Sequence, residues 1–577
     1  MYLCVHFFML LEQKSKQLKE IIGRYDTQWL LGNLSGLIHA AGAGMADDEV
    51  GALSSPMRQL YYLAGLLVTS DPTGADEINY PMAIWHHIVA LLNEIEAEYD
   101  KLFFPNTKDD VTEDWKRIRK VAMPSFLSYF NQGPLNYEEQ TISWVNDLFS
   151  QLDAVIEKAT GAKTSEFITF YNTLDSLHHA NFRGHMDPRA PVRPDWKKYV
   201  KYEVKNTAPP ALNLYSSDKD IAMFQFMADP GVVDRFFPEE LVSDKLPLEK
   251  VKAILSLLST TRTQGDFLYY TSTKPANPLY ERPIVDLGND LYQVFEVKQV
   301  IHAIERQLEK ACTQVKESIP KYVEKKGKLL EMRIIKLFKD FFGPEARIFH
   351  GYFVDGCEQD LLVLWKKIAF IIEGKGFGMR EPLRDPDKAF ERIKDDFKRS
   401  IGYGYEQTCR VEDKFLEEVP LRITDDKGNL IEEIDTTEFE YDFSIIVNLV
   451  SFGQIQIDLS SLLERAHPGD LFPWAIRFDD LETFLLTMKA KKMPPLELVK
   501  YLLLREKLHG KLICLDELEI CGAFLSKKLT LKMAAEADVL AMTPDLGNIF
   551  DEQYNKGMGF ENEKLLAEKK SGKWMFI

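Results

Sequence analysis

Asp360, Glu373 and Lys375 are the residues of this chain whose types and spacing best support a reaction. They sit at the ends of two apolar runs, residues 359–365 and 368–373, which flank the dipeptide Lys366-Lys367. Continuous apolar runs of this kind are expected as strands buried on both faces. Paired as an antiparallel hairpin about that dipeptide, they set Trp365 opposite Ile368, Leu364 opposite Ala369 and Asp360 opposite Glu373. Opposed residues bring their Cβ atoms to about 4.5–5.5 Å on one face. Lys375 shares that face, with Glu358 as its opposite number. Two carboxylates so close repel one another and take up a proton or a divalent cation. Mg²⁺, or Mn²⁺ in its place, suits carboxylate oxygens and keeps several waters. A lysine beside such an ion orients or deprotonates a water, or stabilises charge developing on a phosphate. The chemistry is phosphodiester hydrolysis; the bland alternative is a salt-bridged cluster at a strand end.

The elements that position these groups follow from periodicity. A helix over residues 322–342 carries Leu330, Ile334, Leu337, Phe338 and Phe341 as its apolar stripe, with Glu331 at the stripe's edge, facing the strand ends. Pro320 breaks it from an amphipathic helix over 297–319, and Gly343-Pro344 stops it. Residues 347–354 form a further strand. After the two central strands a helix over 387–403 is expected, capped by Asp385 with Pro386 at its first position. Residues 411–442 hold twelve acidic and three basic residues, the composition of a solvated acidic loop or hairpin insertion. Residues 444–452 are strand-like.

Gly327-Lys-Leu-Leu-Glu331 on a helix, then Glu358-Gln-Asp360-Leu-Leu-Val on a strand, then Ile372-Glu373-Gly-Lys375, resemble the PD-(D/E)XK nuclease superfamily. The texture is closest to its restriction-endonuclease-like and nuclease-related domains. The resemblance covers about residues 320–452, under a quarter of the chain. It implies an α-β-β-β-α-β core in which Asp360 and Glu373 bind the metal with the Gly374 carbonyl. It makes Lys375 the catalytic lysine and Glu331 the helix acid, with Glu358 and Gln407 in support. The implied enzyme is an Mg²⁺-dependent endodeoxyribonuclease, with defence against foreign DNA as its setting. Many members of the group cut as dimers, so a homo-oligomer stays open. Two features depart from the pattern. Gln359 stands where the superfamily's name has proline, and Glu-Gly-Lys-Gly is glycine-rich for a strand, unless a neighbouring backbone approaches closely there.

Composition bounds the rest. The chain has 577 residues and a net charge of −18, so it meets DNA through a local patch rather than its whole surface. Residues 305–347, with eleven basic against seven acidic residues, form the best such patch. No apolar run is long enough to span a bilayer, the apolar residues 2–11 lack the flanks of a signal peptide, and the six cysteines form no CxxC pair. A cytoplasmic protein without a membrane partner is expected. Neighbouring histidines diverge on a helix, so His86-His87 and His178-His179 are poor ligand pairs; His185 is expected in a loop. A polar pocket near His178, His179 and His185 would mark an enzyme of another kind. The expected class is a multidomain α+β protein. Residues 1–262 form a helical module for a protein partner or regulation, and 263–319 a β-hairpin and long-helix linker, with strands at 267–271 and 284–295. Residues 320–455 form a restriction-endonuclease-like mixed sheet flanked by helices, with the 411–442 insertion, and 456–577 a helical extension. The other possibility is a catalytically silent scaffold of the same fold, acting through its helices.

Overall fold

Apolar residues at three- and four-residue spacing make helices of most of the first half, and β-branched and aromatic runs make a mixed sheet in the middle. The computed structural model describes every residue except 1, 43–47, 80, 102, 105–110, 132–135, 203–216, 272–273, 468–470, 562 and 565–577. The chain divides into two compact units, Met1–Lys101 with Thr141–Tyr322, and Leu102–Gln140 with Val323–Ile577. No helix among the described residues is long and apolar enough to cross a membrane.

The first unit is built from helices such as Tyr2–Ile22, Thr27–Gly42, Pro56–Val68 and Thr164–Met186. The last of these takes in His185, expected in a loop. Its Nδ1 lies 3.0 Å from the Ala222 carbonyl, and the residue is fully buried. Residues 284–295 form a tight antiparallel hairpin, Ile284–Asp286 with Tyr292–Val294, inside a four-stranded sheet. Residues 267–271 are not a strand. Their aromatic residues serve packing instead: Phe267 and Tyr270 stand edge-on to Tyr62.

The second unit holds a seven-stranded sheet. In chain order its strands are β1 (Arg347–Val354), β2 (Cys357–Trp365), β3 (Ile368–Lys375), β4 (Leu421–Thr424), β5 (Leu430–Ile434), β6 (Tyr441–Asn448) and β7 (Trp474–Arg477). The spatial order is β7-β6-β3-β2-β1-β4-β5. β6 runs parallel to β3 and to β7, and the other pairs are antiparallel. Asp355-Gly356, both at positive φ, turns β1 into β2 as the favoured two-residue hairpin loop does. Lys366, at φ +54°, turns β2 into β3. The register of that hairpin is the expected one, Trp365 to Ile368 through Leu361 to Ile372. A one-residue slip would have turned every side chain to the other face.

Helix α1 (Ile319–Phe342) lies on one face of the sheet. Phe342 packs on Trp365 and Phe370 there. Pro320 stands in its first turn, where a missing N–H costs nothing, so the helix begins before the proline rather than after it. Beyond β3, helix α2 (Pro386–Phe397) is capped by Asp385, whose carboxylate accepts from the Asp387 and Lys388 N–H groups at 3.0 and 3.1 Å. A π-helical turn, Lys398–Gly402, leads into helix α3 (Tyr403–Leu416) on the opposite face. Val411 and Phe415 of α3 are buried with Leu362, Leu364, Ala369 and Ile371. The acidic stretch 411–442 is therefore only partly a solvated insertion. Its first residues are core helix, and the rest carry the β4–β5 hairpin, tied back by the Arg347–Glu432 ion pair. Helix Glu113–Asn131, from the first half of the chain, folds with this unit, Arg117 lying 5.1 Å over the Phe390 ring of α2.

Asp442 sits beside Ala369 across the β3–β6 ladder, and burial pushes its carboxyl up to about 6. A raised acid pKa leaves stability untouched below the unfolded value and removes it as pH rises from about 4 to about 6. Asp442→Asn should therefore gain about 1–2 kcal/mol at pH 8, discounted for partial exposure, and nothing at pH 4. Urea midpoints at the two pH values measure this; equal gains at both would refute it.

Candidate active site

The β2–β3 ladder ends at Leu361–Ile372, and at the next position side chains take over the hydrogen bonding. The Asp360 N–H donates to Glu373 Oε1 at 3.1 Å, and the Gly374 N–H donates to Asp360 Oδ2 at 2.7 Å. The two carboxylates are thus cross-stitched to each other's strand. Lys375 Nζ donates to Glu373 Oε2 at 2.9 Å and to Gln407 Oε1 at 2.6 Å, and it lies 5.5 Å from the Tyr403 ring centroid. Lys375 pairs with Asn448 of β6 in the parallel ladder, so the ammonium stands between two strand ends under the first turn of α3.

Two glycines make room for this arrangement. A Cβ on Gly374 would sit 3.0 Å from Ile334 Cδ1 and 3.7 Å from Leu330 Cδ2, so the glycine lets α1 close on the strand. A Cβ on Gly404 would sit 3.0 Å from Lys375 Cε and 3.1 Å from Ile446 Cγ2, so that glycine gives the lysine stem its channel. The π-helical turn is anchored at the same end. Ser400 Oγ donates to the Phe377 carbonyl at 2.9 Å and accepts from Asn448 Nδ2 at 2.8 Å. Single π turns inside helices are frequent at functional sites. This one sets where Tyr403, Gly404 and Gln407 emerge.

Electrostatics follow the geometry. Glu373 is fully buried; burial first, and then the charge of Asp360, pushes its carboxyl up to about 7 against the opposing pull of Lys375. Glu331 is exposed as a residue. Its carboxyl is nevertheless raised, by partial burial and then by the charges of Asp360 and Glu358, which places it at the rim. Glu358 is exposed and does not meet Lys375, because the ladder has already opened at that position. Gln359 is buried and turns back, its amide donating to the Glu358 carbonyl at 2.9 Å.

Of the residues singled out from the sequence, the structure gathers Asp360, Glu373, Gly374, Lys375 and Gln407, and leaves Glu331 and Glu358 at the edge. It adds Tyr352 of β1. The Tyr352 hydroxyl is buried without a hydrogen-bond partner, and burial, then Glu373 and Asp360, hold its pKa far up. A phenol stays neutral there, within electrostatic reach of both carboxylates. Its type and strand position carry no signal that separates it from an ordinary core tyrosine.

Asp360 and Glu373 bring two carboxylates together, and the Gly374 carbonyl belongs to the same strand end. An all-oxygen donor set of one or two carboxylates is what Mg²⁺ takes from proteins. No family model, curated protein or solved structure matches the chain.

Proposed function

We propose that the second unit is a metal-dependent nuclease of PD-(D/E)XK type that hydrolyses phosphodiester bonds of DNA, in defence against foreign DNA. One observation carries the proposal: a buried and a half-buried carboxylate at adjacent strand ends, with a lysine ammonium held between the buried one and a glutamine of α3. The order of elements, α1, β1–β3, then α2–α3 and β6, also supports it, since it repeats the α-β-β-β-α-β core that the resemblance implies.

Asp360 and Glu373 would hold Mg²⁺ or Mn²⁺, which when bound lowers the pKa of a water and polarises a phosphoryl oxygen. The chain's own residues do the rest. Lys375 has three N–H donors. Two are spent on Glu373 and Gln407, and the third is free to orient the attacking water or meet charge on the phosphate. Gln407 acts through the lysine by fixing its rotamer. Glu331, raised and solvent-accessible, can accept or return a proton at the rim. The basic residues of α1, among them Lys321, Lys328, Arg333, Lys336 and Lys339, supply phosphate contacts that fix register rather than sequence.

Cleavage of supercoiled plasmid and single-stranded DNA with Mg²⁺, Mn²⁺ or EDTA tests the proposal. Metal-dependent cutting by the full chain is expected; no cutting, together with no Mg²⁺ uptake, would leave a silent scaffold. Gly404→Ala probes the lysine channel. The new methyl should push Lys375 off its partners and cost roughly 10–100-fold in cleavage, because an ångström of misplacement is worth about that much. The melting temperature should fall by only a few degrees, since the helix propensity of Ala offsets part of the crowding against Ile446. Full activity in Gly404→Ala would show that the channel does not position the lysine.

A further inference from the structure

The first unit contains the one cluster of three metal-ligating side chains among the described residues, His39, His178 and Asp234. They come from three separate elements. His39 lies near the end of helix Thr27–Gly42, His178 on helix Thr164–Met186, and Asp234 between the short turn Pro230–Val233 and strand Arg235–Phe236. One donor atom from each lies within 4.8 Å of the others. His178 Nδ1 is 2.8 Å, and His39 Nε2 3.9 Å, from Asp234 Oδ1. A tetrahedral zinc ion with bonds near 2.0–2.1 Å separates its ligand atoms by about 3.3 Å, and the two observed distances bracket that value.

Hydrogen bonding leaves this cluster unfinished. The Asp234 side chain is 1% exposed, yet its Oδ1 accepts no well-aligned hydrogen bond: His178 Nδ1, 2.8 Å away, stands out of line with it. On the far side of its ring from the carboxylate, the Nδ1 of His39 is also buried without a partner. Buried polar atoms are satisfied as a rule, and exceptions call for an explanation. The other carboxylate oxygen is well held: Ser35 Oγ donates to Oδ2 at 2.6 Å. The backbone is pinned as well, by Asp234 N–H to the Gly231 carbonyl and Val294 N–H to the Asp234 carbonyl, both at 3.0 Å. A fixed carboxylate with one oxygen oriented by a neighbour and the other turned toward two imidazoles has the form of a metal site with its outer shell in place.

We propose that His39, His178 and Asp234 form a binding site for a late first-row divalent cation of the zinc class. Two imidazoles and one carboxylate leave a fourth position for water. The side chains of His39 and His178 are 24% and 13% exposed, so the site opens to solvent on the histidine side. The ion ties together three elements distant in sequence. The site is built from residues of the first unit alone and does not depend on the nuclease proposal.

Calorimetric titration of the full, untagged, EDTA-stripped chain with Zn²⁺ tests this, with Mg²⁺ in excess to occupy oxygen-donor sites. One tight Zn²⁺ equivalent is expected. His39→Gln and His178→Gln should each weaken it roughly 100-fold or more, and Ser35→Ala about tenfold, since even outer-shell partners are worth 10–100-fold. Zn²⁺ should raise the melting temperature of the wild type but not of His39→Gln, whose circular dichroism reports that it folds. Absence of a tight equivalent in the wild type, or its survival in folded His39→Gln, would overturn the site. The remaining account would then be a plain ion pair between protonated His178 and Asp234.

Discussion

Lys375→Ala is expected to cut no DNA at rates within roughly 10³-fold of the wild type while still taking up Mg²⁺, and Asp360→Ala to lose both cleavage and the ion. The two losses differ because the residues do different work. Under the nuclease proposal Lys375 serves the water or the developing charge, an effect worth about 10²–10⁴-fold. Asp360 would be a ligand under that proposal, and it is also the acceptor that pins the Gly374 N–H. Glu373→Gln should resemble Asp360→Ala in activity, because the amide keeps the size but not the charge, and it also strips Lys375 of its anionic partner. Gln407→Ala should fall between, about 10–100-fold down, since the glutamine only positions the ammonium. Glu331→Gln, at the rim, should cost tenfold or less. Plasmid nicking rates paired with Mg²⁺ calorimetry measure the whole series. Equal loss of metal binding in Lys375→Ala and Asp360→Ala would mean that the lysine is a structural counter-ion rather than a catalytic group. Undiminished cleavage in Asp360→Ala would remove the site from the reaction altogether.

The legible part of this site is the part that local rules determine. The β2–β3 register follows from a two-residue loop between apolar runs, because either run shifted by one would bury Lys366 or expose Ile371. The Asp385 cap and Pro386 start of α2 are equally local. Gln407 could be named but not placed, because its reach to Lys375 depends on the π-helical turn at Lys398–Gly402, which no residue pattern announces. Glu358 does not face Lys375 for a related reason: the ladder stops at Leu361–Ile372, short of the strand ends, where side chains replace backbone partners. Residues 267–271 look like a strand by propensity, but aromatic packing around Tyr62 outweighs propensity there. The parallel union of β6 with β3, and the gathering of His39, His178 and Asp234, join residues far apart in the chain. Spacing in sequence carries no record of either. Asp355-Gly356 is the converse case, a hairpin signal present in the sequence and sufficient to join β1 to β2.

Arg505→Met is expected to be the most destabilising single change in the second unit outside its apolar core, by about 3–5 kcal/mol. Arg505, 2% exposed, lies on helix Leu496–Glu506, and Glu517, 4% exposed, opens helix Glu517–Leu525. Arg505 Nε donates to Glu517 Oε1 at 2.8 Å and one terminal NH₂ to Oε2 at 3.0 Å, a two-point pairing that fixes both side chains. The same NH₂ also reaches the Ile457 carbonyl. Trp474 Nε1 of β7 and the Tyr501 hydroxyl donate to Glu517 Oε1 at 2.7 and 2.6 Å. The carboxylate is therefore the junction of two helices and the edge strand next to β6. Methionine fills the space but leaves a buried anion with two neutral donors, and an unpaired buried charge is what costs most. Replacing both partners, Arg505→Met with Glu517→Met, removes the charge along with its partner and should recover more than half of the loss, so the two changes are far from additive. Urea unfolding of the wild type, both single variants and the double variant completes the cycle. A loss below about 1 kcal/mol in Arg505→Met would class the pair with surface ion pairs. A double variant no better than the worse single would show that Tyr501 and Trp474 need the carboxylate itself, which makes their hydrogen bonds, rather than charge neutrality, the reason for its burial.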